Sequence, residues 1–232
     1  MLVRFFRALK KSPWLAIKVT ADRVVDFFKE RKLGIRTSGL IPIETLMDDW
    51  AGNHDYAPTS IRAFQAFMES LDIRREDEEV FIDYGSGLGR VLLLASEYPF
   101  KRITGVEVTE VLAEKAAANI KNYKKPRQCE DIQIWVGSAS DFEIPDDASL
   151  IYLNNPFHGQ VLTDVFKRLE KSLSEKPRRL RVVYNNPTHF MKIFADYPWL
   201  EIQRKFSFEQ ECIIFRAIPD KILDKNRLTA GA

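Results

Sequence analysis

Between Val80 and Arg90 an apolar run meets an acid and then glycines at every second position: Val80-Phe81-Ile82-Asp83-Tyr84-Gly85-Ser86-Gly87-Leu88-Gly89-Arg90. Glycines let a backbone turn tightly and approach a ligand with no Cβ in the way. An apolar strand before them and Val91-Leu92-Leu93-Leu94-Ala95 after them predict a strand, loop and helix, with the loop in the crevice at the strand C-termini. The spacing G-x-G-x-G is not G-x-G-x-x-G, which aims a helix N-terminus at a pyrophosphate. Asp83 in front of the glycines repels pyrophosphate and suits the ammonium of an amino acid, so these residues favour S-adenosylmethionine over NAD. A second acid, Glu107, closes Ile103-Thr104-Gly105-Val106-Glu107-Val108 about 20 residues further on, where a carboxylate accepts both ribose hydroxyls.

Leu150-Ile151-Tyr152-Leu153 runs into Asn154-Asn155-Pro156-Phe157, so two amides follow another strand. Methyl transfer to an amine is an in-line displacement at carbon, and the protein must align a neutral lone pair behind the methyl and keep water out. Asn154 through its side-chain oxygen, or Asn155 through its carbonyl, can accept the amine's N–H bonds, while Phe157 and Tyr56 wall the site. Burial against aromatic walls lowers the pKa of a lysine acceptor in the useful direction. Val183-Tyr184-Asn185-Asn186-Pro187 repeats the same text after a later strand. Strand order favours the first copy as the working one, which leaves Asn185 and Asn186 to shape a loop. His54, His158 and His189 lack metal-ligand spacing, and no metal is expected; His158, next to the amides, is the one to test as a base.

These residues need a scaffold, and the chain has the periodicity for one. From Val80 short apolar runs alternate with amphipathic segments, which predicts strands at Val80 to Tyr84, Ile103 to Val108, Ile132 to Val136, Leu150 to Leu153, Leu180 to Tyr184, Leu200 to Phe208 and Cys212 to Ile218. Helices are expected at Arg90 to Glu97, Thr109 to Tyr123, Val161 to Leu173 and Thr188 to Ala195. Only Glu209-Gln210-Glu211 separates the last two strands, so they form an antiparallel hairpin. The fold class is therefore α/β: a doubly wound, mostly parallel seven-stranded sheet with a C-terminal antiparallel hairpin and a helical N-terminal extension. The expected divisions are 1–58 for the extension and its loop, 59–218 for the catalytic domain and 219–232 for a polar tail that frays. A helix from Ser60 through Leu71 is capped by Thr59 or Ser60. In the extension, Leu2, Phe5, Phe6 and Leu9, then Val24, Val25, Phe27 and Phe28, recur at helical spacing and suggest two amphipathic helices.

With 232 residues, 45% apolar and 29% charged, the chain is long enough for one α/β domain and too apolar for a disordered one. Cys129 and Cys212 are far apart and read as buried small hydrophobes in a reducing compartment. Through Arg36 there are ten basic residues against Asp22, Asp26 and Glu30, so the net charge of +2 conceals a basic extension on a mildly acidic remainder. That extension offers a contact to a membrane surface or an acidic partner. Basic residues interrupt every apolar run that a signal peptide or a transmembrane segment would need, and the expected address is the cytoplasm.

From Tyr56 to about Ile218 the acid, glycines, second acid and alternating elements resemble the seven-strand, Rossmann-like class I methyltransferases. That resemblance implies S-adenosyl-L-methionine as cofactor, with Asp83, Gly85, Ser86, Gly87 and Gly89 at its methionine part and Glu107 and Val108 at the ribose. The loop after the third strand, Gly137-Ser138-Ala139-Ser140-Asp141, would meet adenine through Ser138 and Ala139. Many members carry an acid directly after that glycine; here Ser138 stands there and Asp141 is the nearest acid, so either can meet the adenine amine. Asn-Asn-Pro-Phe resembles the Asn/Asp-Pro-Pro-Tyr/Phe signature of amino-group methyltransferases, with Asn155 in place of the first proline, and the paired asparagines of non-SET histone lysine methyltransferases. Tyr56-Ala57-Pro58-Thr59 resembles a segment of prokaryotic protein lysine methyltransferases that closes over cofactor and target lysine. This makes Tyr56 catalytic beside Asn154 and Asn155, and adds Thr59 and Asn154 to the cofactor contacts. The layout, with its Thr37-Ser38-Gly39 loop, also resembles a group of bacterial methyltransferases. The leading expectation is N-methylation of a protein lysine; the rivals are a small-molecule or nucleobase acceptor, or a non-catalytic membrane-surface or nucleic-acid binding protein.

Overall fold

The computed structural model describes residues 24–48, 51–207 and 210–223. Seven strands form one sheet in the order β3-β2-β1-β4-β5-β7-β6. They are β1 Val80–Tyr84, β2 Arg102–Glu107, β3 Ile132–Val136, β4 Ala148–Leu153, β5 Arg181–Asn185, β6 Leu200–Ser207 and β7 Glu211–Ala217. The first five run parallel, and β7 pairs antiparallel with both β5 and β6. The expected class I architecture is present, with the hairpin at one edge.

The central strands β1, β4 and β5 are almost wholly buried because helices cover both faces. One face packs Phe166, Phe190, Trp199 and Tyr184. The other packs Phe64, Phe67, Phe81 and Tyr152. The helices are α1 at residues 24–33, α2 Ile61–Glu69, α3 Arg90–Ala95, α4 Glu110–Asn122 and α5 Gly159–Glu175. Ser60 is the cap of α2 and accepts from Ala63 N at 3.4 Å, while Thr59 turns elsewhere. Both cysteines are buried and free.

Three expectations are corrected. No α-helix spans Thr188 to Ala195; two single 3₁₀ turns, Phe190–Lys192 and Phe194–Asp196, occupy it. Pro198 bars Tyr197 from the helical region, and burial of Phe190 against Phe166 and Tyr184, with ring centroids 4.2 and 5.4 Å away, outweighs helical periodicity. The expected tail does not begin at Pro219: residues 219–223 are helical, and Ile222 is fully buried in the core. In α1 the expected apolar side faces outward. Val24 and Phe28 are 50% and 60% exposed, while Asp26 and Glu30 are 7% and 3% exposed. The expected helix at Leu2 to Leu9 and the strand end at Phe208 lie outside the described residues.

Candidate active site

Register builds the site. Tyr84 lies beside Val106 and Leu153, so the chain leaves β1, β2 and β4 at one level, and Gly85, Glu107 and Asn154 emerge together. Gly85 and Ser86 both donate to Val106 O, at 2.8 and 3.1 Å, which folds the glycine loop back over β2. The result is a cleft lined by Asp83, Gly85, Gly87, Glu107, Val108, Gly137, Ala139, Asn154 and Phe157 from the sheet side. Ile43, Leu46, His54, Tyr56 and Thr59 line it from the extension.

Two positions show why glycine is required. A Cβ on Gly87, at φ 55°, would stand 2.3 Å from the Tyr56 ring, and one on Gly85, at φ 75°, would stand 2.4 Å from Pro156 Cβ. The Tyr56 ring therefore lies directly on the loop, and its hydroxyl donates to Thr37 O at 2.7 Å.

Asp83 is buried and, among the described residues, its carboxylate accepts no hydrogen bond. Burial first, and then the nearby Glu107 charge, push its pKa well above the ordinary carboxylate value. Such a group is costly until a cation reaches it, which fits a cofactor ammonium. Glu107 is also raised by burial, while hydrogen bonds hold its charged form: it accepts from Gly87 N at 2.8 Å and from Thr109 N and Oγ1, each at 3.0 Å. The donor set thus fits S-adenosylmethionine: an ammonium partner, a loop open to close approach, and a second acid beside it for hydroxyls. When bound, that cofactor supplies an electrophilic methyl group.

Other expected residues fall less simply. Ser86 lines the cleft, yet its hydroxyl is buried against Gly105 without a hydrogen bond. Gly89 caps α3 at φ 79° and packs on Ala116. Ser138 pairs with Ser140, hydroxyl to hydroxyl, at 2.7 Å, and Asp141 is exposed and 4.0 Å from Arg168. Neither side chain lines the cleft, which Gly137 and Ala139 bound instead. Thr59 lines it and shares a 2.8 Å hydrogen bond with the Tyr152 hydroxyl.

The two Asn-Asn-Pro copies are not independent. Leu153 lies beside Tyr184, so Asn154 meets Asn185, whose Nδ2 donates to Asn154 Oδ1 at 2.9 Å. Asn154 Nδ2 donates to Ala57 O at 2.8 Å. The expectation that Asn185 merely shapes a loop is corrected: it orients the Asn154 carboxamide, which in turn latches the Tyr56-Ala57 segment. One of the two acceptor positions on the Asn154 side-chain oxygen is thereby taken. Asn155 and Asn186 share the left-handed conformation, at φ 47° and 56°. Asn155 Oδ1 is buried without a hydrogen bond, and Asn186 ties its own loop through Thr188.

The sequence reading missed Arg90. It is 4% exposed, and all five guanidinium donors are used. Nε donates to Thr37 Oγ1 at 2.8 Å, Nη1 to Asp26 Oδ2 at 3.0 Å and Thr59 O at 2.8 Å, and Nη2 to Glu30 and to Ser38 Oγ at 3.0 Å. Asp26 and Glu30 sit one helical turn apart and so reach the same guanidinium. The signal was present: an arginine opening a short helix that is otherwise apolar on every side must be paired. The three histidines also converge, with ring centroids 5.0 to 5.2 Å apart. Among the described residues, however, no group of His, Cys, Asp or Glu is arranged to hold a metal.

Comparison with known proteins agrees with this geometry. The family model for histone methylation protein DOT1 matches residues 51–185, more than half of the chain. A search of curated proteins finds no match. Among solved structures, the chain is similar to an RNA methyltransferase from Salinibacter ruber in complex with S-adenosyl-L-homocysteine, at 21% identity, covering 70% of this chain and 94% of that one with a TM-score of 0.50. It is also similar to a ribosomal protein L11 methylase from Lactobacillus delbrueckii subsp. bulgaricus, at 16% identity, 70% and 80% coverage and a TM-score of 0.52. A third is a precorrin-6y C5,15-methyltransferase from Geobacter metallireducens, at 15% identity, 74% and 95% coverage and a TM-score of 0.52. At these identities the solved structures speak for the fold alone. The family match covers the glycine loop, both acids and the Asn154-Asn155 pair and ends at Asn185, and on it the chain belongs to the DOT1 histone methylation protein family and is an S-adenosylmethionine-dependent methyltransferase.

Proposed function

We propose that the enzyme methylates an amino group of a protein, a lysine side chain. The observation that carries this reading is the charge of the cleft. Its lining includes three acids, Asp55, Asp83 and Glu107, of which Asp55 is left once the cofactor takes the other two, against one cation, Arg90, whose donors are all engaged. An acidic, aromatic-walled cleft draws in an aliphatic ammonium and repels phosphate, which favours lysine over a nucleobase in RNA. The family's association with histone methylation points the same way.

In this reading Asp83 binds the cofactor ammonium and Glu107 the ribose, with Gly85, Gly87, Val108 and Ala139 giving close backbone approach. Tyr56 and Phe157 wall the acceptor nitrogen away from water. Asn154, held by Asn185, keeps the Tyr56 segment closed, while Asn155 is not among the residues that line the cleft. The amine arrives as an ammonium, loses its proton to solvent at the mouth, and presents its lone pair in line with the methyl group.

The test is to incubate the protein with methyl-labelled cofactor and a cell lysate, then separate protein, RNA and small molecules. Label in methyl-lysine after acid hydrolysis of the protein fraction is the expected result, and Glu107→Ala should abolish it. Label confined to RNA or small molecules would overturn the lysine reading while leaving the methyltransferase intact.

A further inference from the structure

Helix α1 is packed with its acids inward, and this decides what its outer face can bind. Asp26 and Glu30 are turned toward Arg90 and neutralised by it, as ion pairs on a guanidinium that is 4% exposed. What remains outside is Val24, Val25, Phe27 and Phe28, all 45% to 60% exposed, together with Lys29, Arg31 and Lys32. At 100° per residue Phe28 stands opposite the midpoint of Asp26 and Glu30, with Val24, Arg31 and Lys32 beside it. Arg31 lies over the Phe27 ring, 5.1 Å from its centroid, and Phe27 and Phe28 meet edge to face. The face is apolar at its centre, basic around it, and free of acids.

We infer that this outer face of α1 docks the enzyme on an anionic lipid bilayer, with the two phenylalanines entering the headgroup boundary and the lysines and arginine on the lipid phosphates. Charge excludes the nearer occupants. A second copy of the face would set cation against cation. The chain ahead of the helix also fails, because residues 1–23 carry Arg4, Arg7, Lys10, Lys11, Lys18 and Arg23 against one acid, Asp22. A duplex would satisfy the charges and leave the aromatic rings in water, and a single strand, whose bases could stack on those rings, needs a basic groove that tracks its backbone where one convex helix face offers none. An anionic bilayer, with phosphates at its surface and an apolar interior beneath, answers both halves of the face. Because α1 is clamped through Arg90 to Thr37 and Thr59, docking would also hold the Tyr56 side of the cleft toward the membrane.

The test is co-sedimentation of the full-length protein with vesicles of phosphatidylcholine alone and of phosphatidylcholine with about a third phosphatidylglycerol. Binding to the anionic vesicles only, lost near 1 M salt where the Debye length is about 3 Å, is expected. The double variant Phe27→Ser with Phe28→Ser should bind them about tenfold more weakly. The triple variant Lys29→Gln, Arg31→Gln, Lys32→Gln should lose the preference for anionic lipid. Both should retain the thermal shift with S-adenosylhomocysteine, which reports an intact fold. No vesicle binding, equal binding to neutral vesicles, wild-type sedimentation of the Phe27/Phe28 variant, or retardation of single-stranded or duplex RNA or DNA without vesicle binding would each overturn the inference.

Discussion

Asn185 reaches Asn154 across two strands, and a single hydrogen bond decides which way the Asn154 carboxamide faces. With Asn185 Nδ2 on its oxygen and Ala57 O on its nitrogen, the amide has one orientation. Asn185→Ala removes one bond, and an ordinary hydrogen bond contributes about 1 kcal/mol net, so kcat/KM should fall about fivefold. Affinity for S-adenosylhomocysteine, measured by calorimetry, should stay within about twofold, since neither atom meets the acids or the glycines. Asn186→Ala should leave kcat/KM unchanged and alter only the loop it ties through Thr188. Asp83, the glycines and Glu107 were legible in the sequence, because each lies at the end of its own strand or directly after it. The Asn154–Asn185 contact was not, since it depends on the register of β4 against β5, which repeated text does not specify.

At the scale of elements, α3 and α1 form one unit through Arg90. The sheet was readable from runs such as Val80 to Tyr84 and Ile132 to Val136, because fully or largely covered strands need continuous apolar sequence. Helix α1 was misread because periodicity ranks Val24 and Phe28 above Asp26 and Glu30, whereas a guanidinium buried in the core reverses that order. Its partners on α1 and the following loop stand 52 to 64 residues away in sequence, and Thr59 stands 31 away, beyond the reach of any local pattern. Removing one member of a buried ion pair costs about 3–5 kcal/mol, so Arg90→Met should destabilise the fold by that order in urea unfolding. Arg90→Lys keeps the charge but cannot reach five acceptors, and should recover only part of the loss. If Arg90→Met unfolds at the wild-type midpoint, the clamp between α1 and the glycine-loop helix does not hold in solution.

For the whole molecule, the two cleft acids couple cofactor binding to stability and pH. Both are raised in the folded protein, Asp83 from 3.8 and Glu107 from 4.5, chiefly by burial. A raised pKa means that the folded state holds the proton more tightly, so their contribution to stability is complete below those ordinary values and is lost as pH rises through the folded ones. His189 works in the opposite sense: its pKa is lowered by burial, His158 and Lys192, so acidification below 6.5 destabilises through it. A comparison with and without ligand removes the histidine contribution and leaves the acids. An ammonium beside Asp83 and hydroxyls on Glu107 favour the charged forms, so binding should release protons and tighten as pH rises. The window ends where the ligand's own α-ammonium begins to lose its proton. The thermal shift produced by S-adenosylhomocysteine should therefore be larger at pH 7 than at pH 5, and calorimetry in buffers of different ionisation enthalpy should register proton release. Asp83→Asn should bind more weakly and lose most of this pH dependence, while its unliganded form becomes less sensitive to alkaline pH than wild type. A shift that is equal at both pH values in the wild-type protein would place the ligand's ammonium away from Asp83.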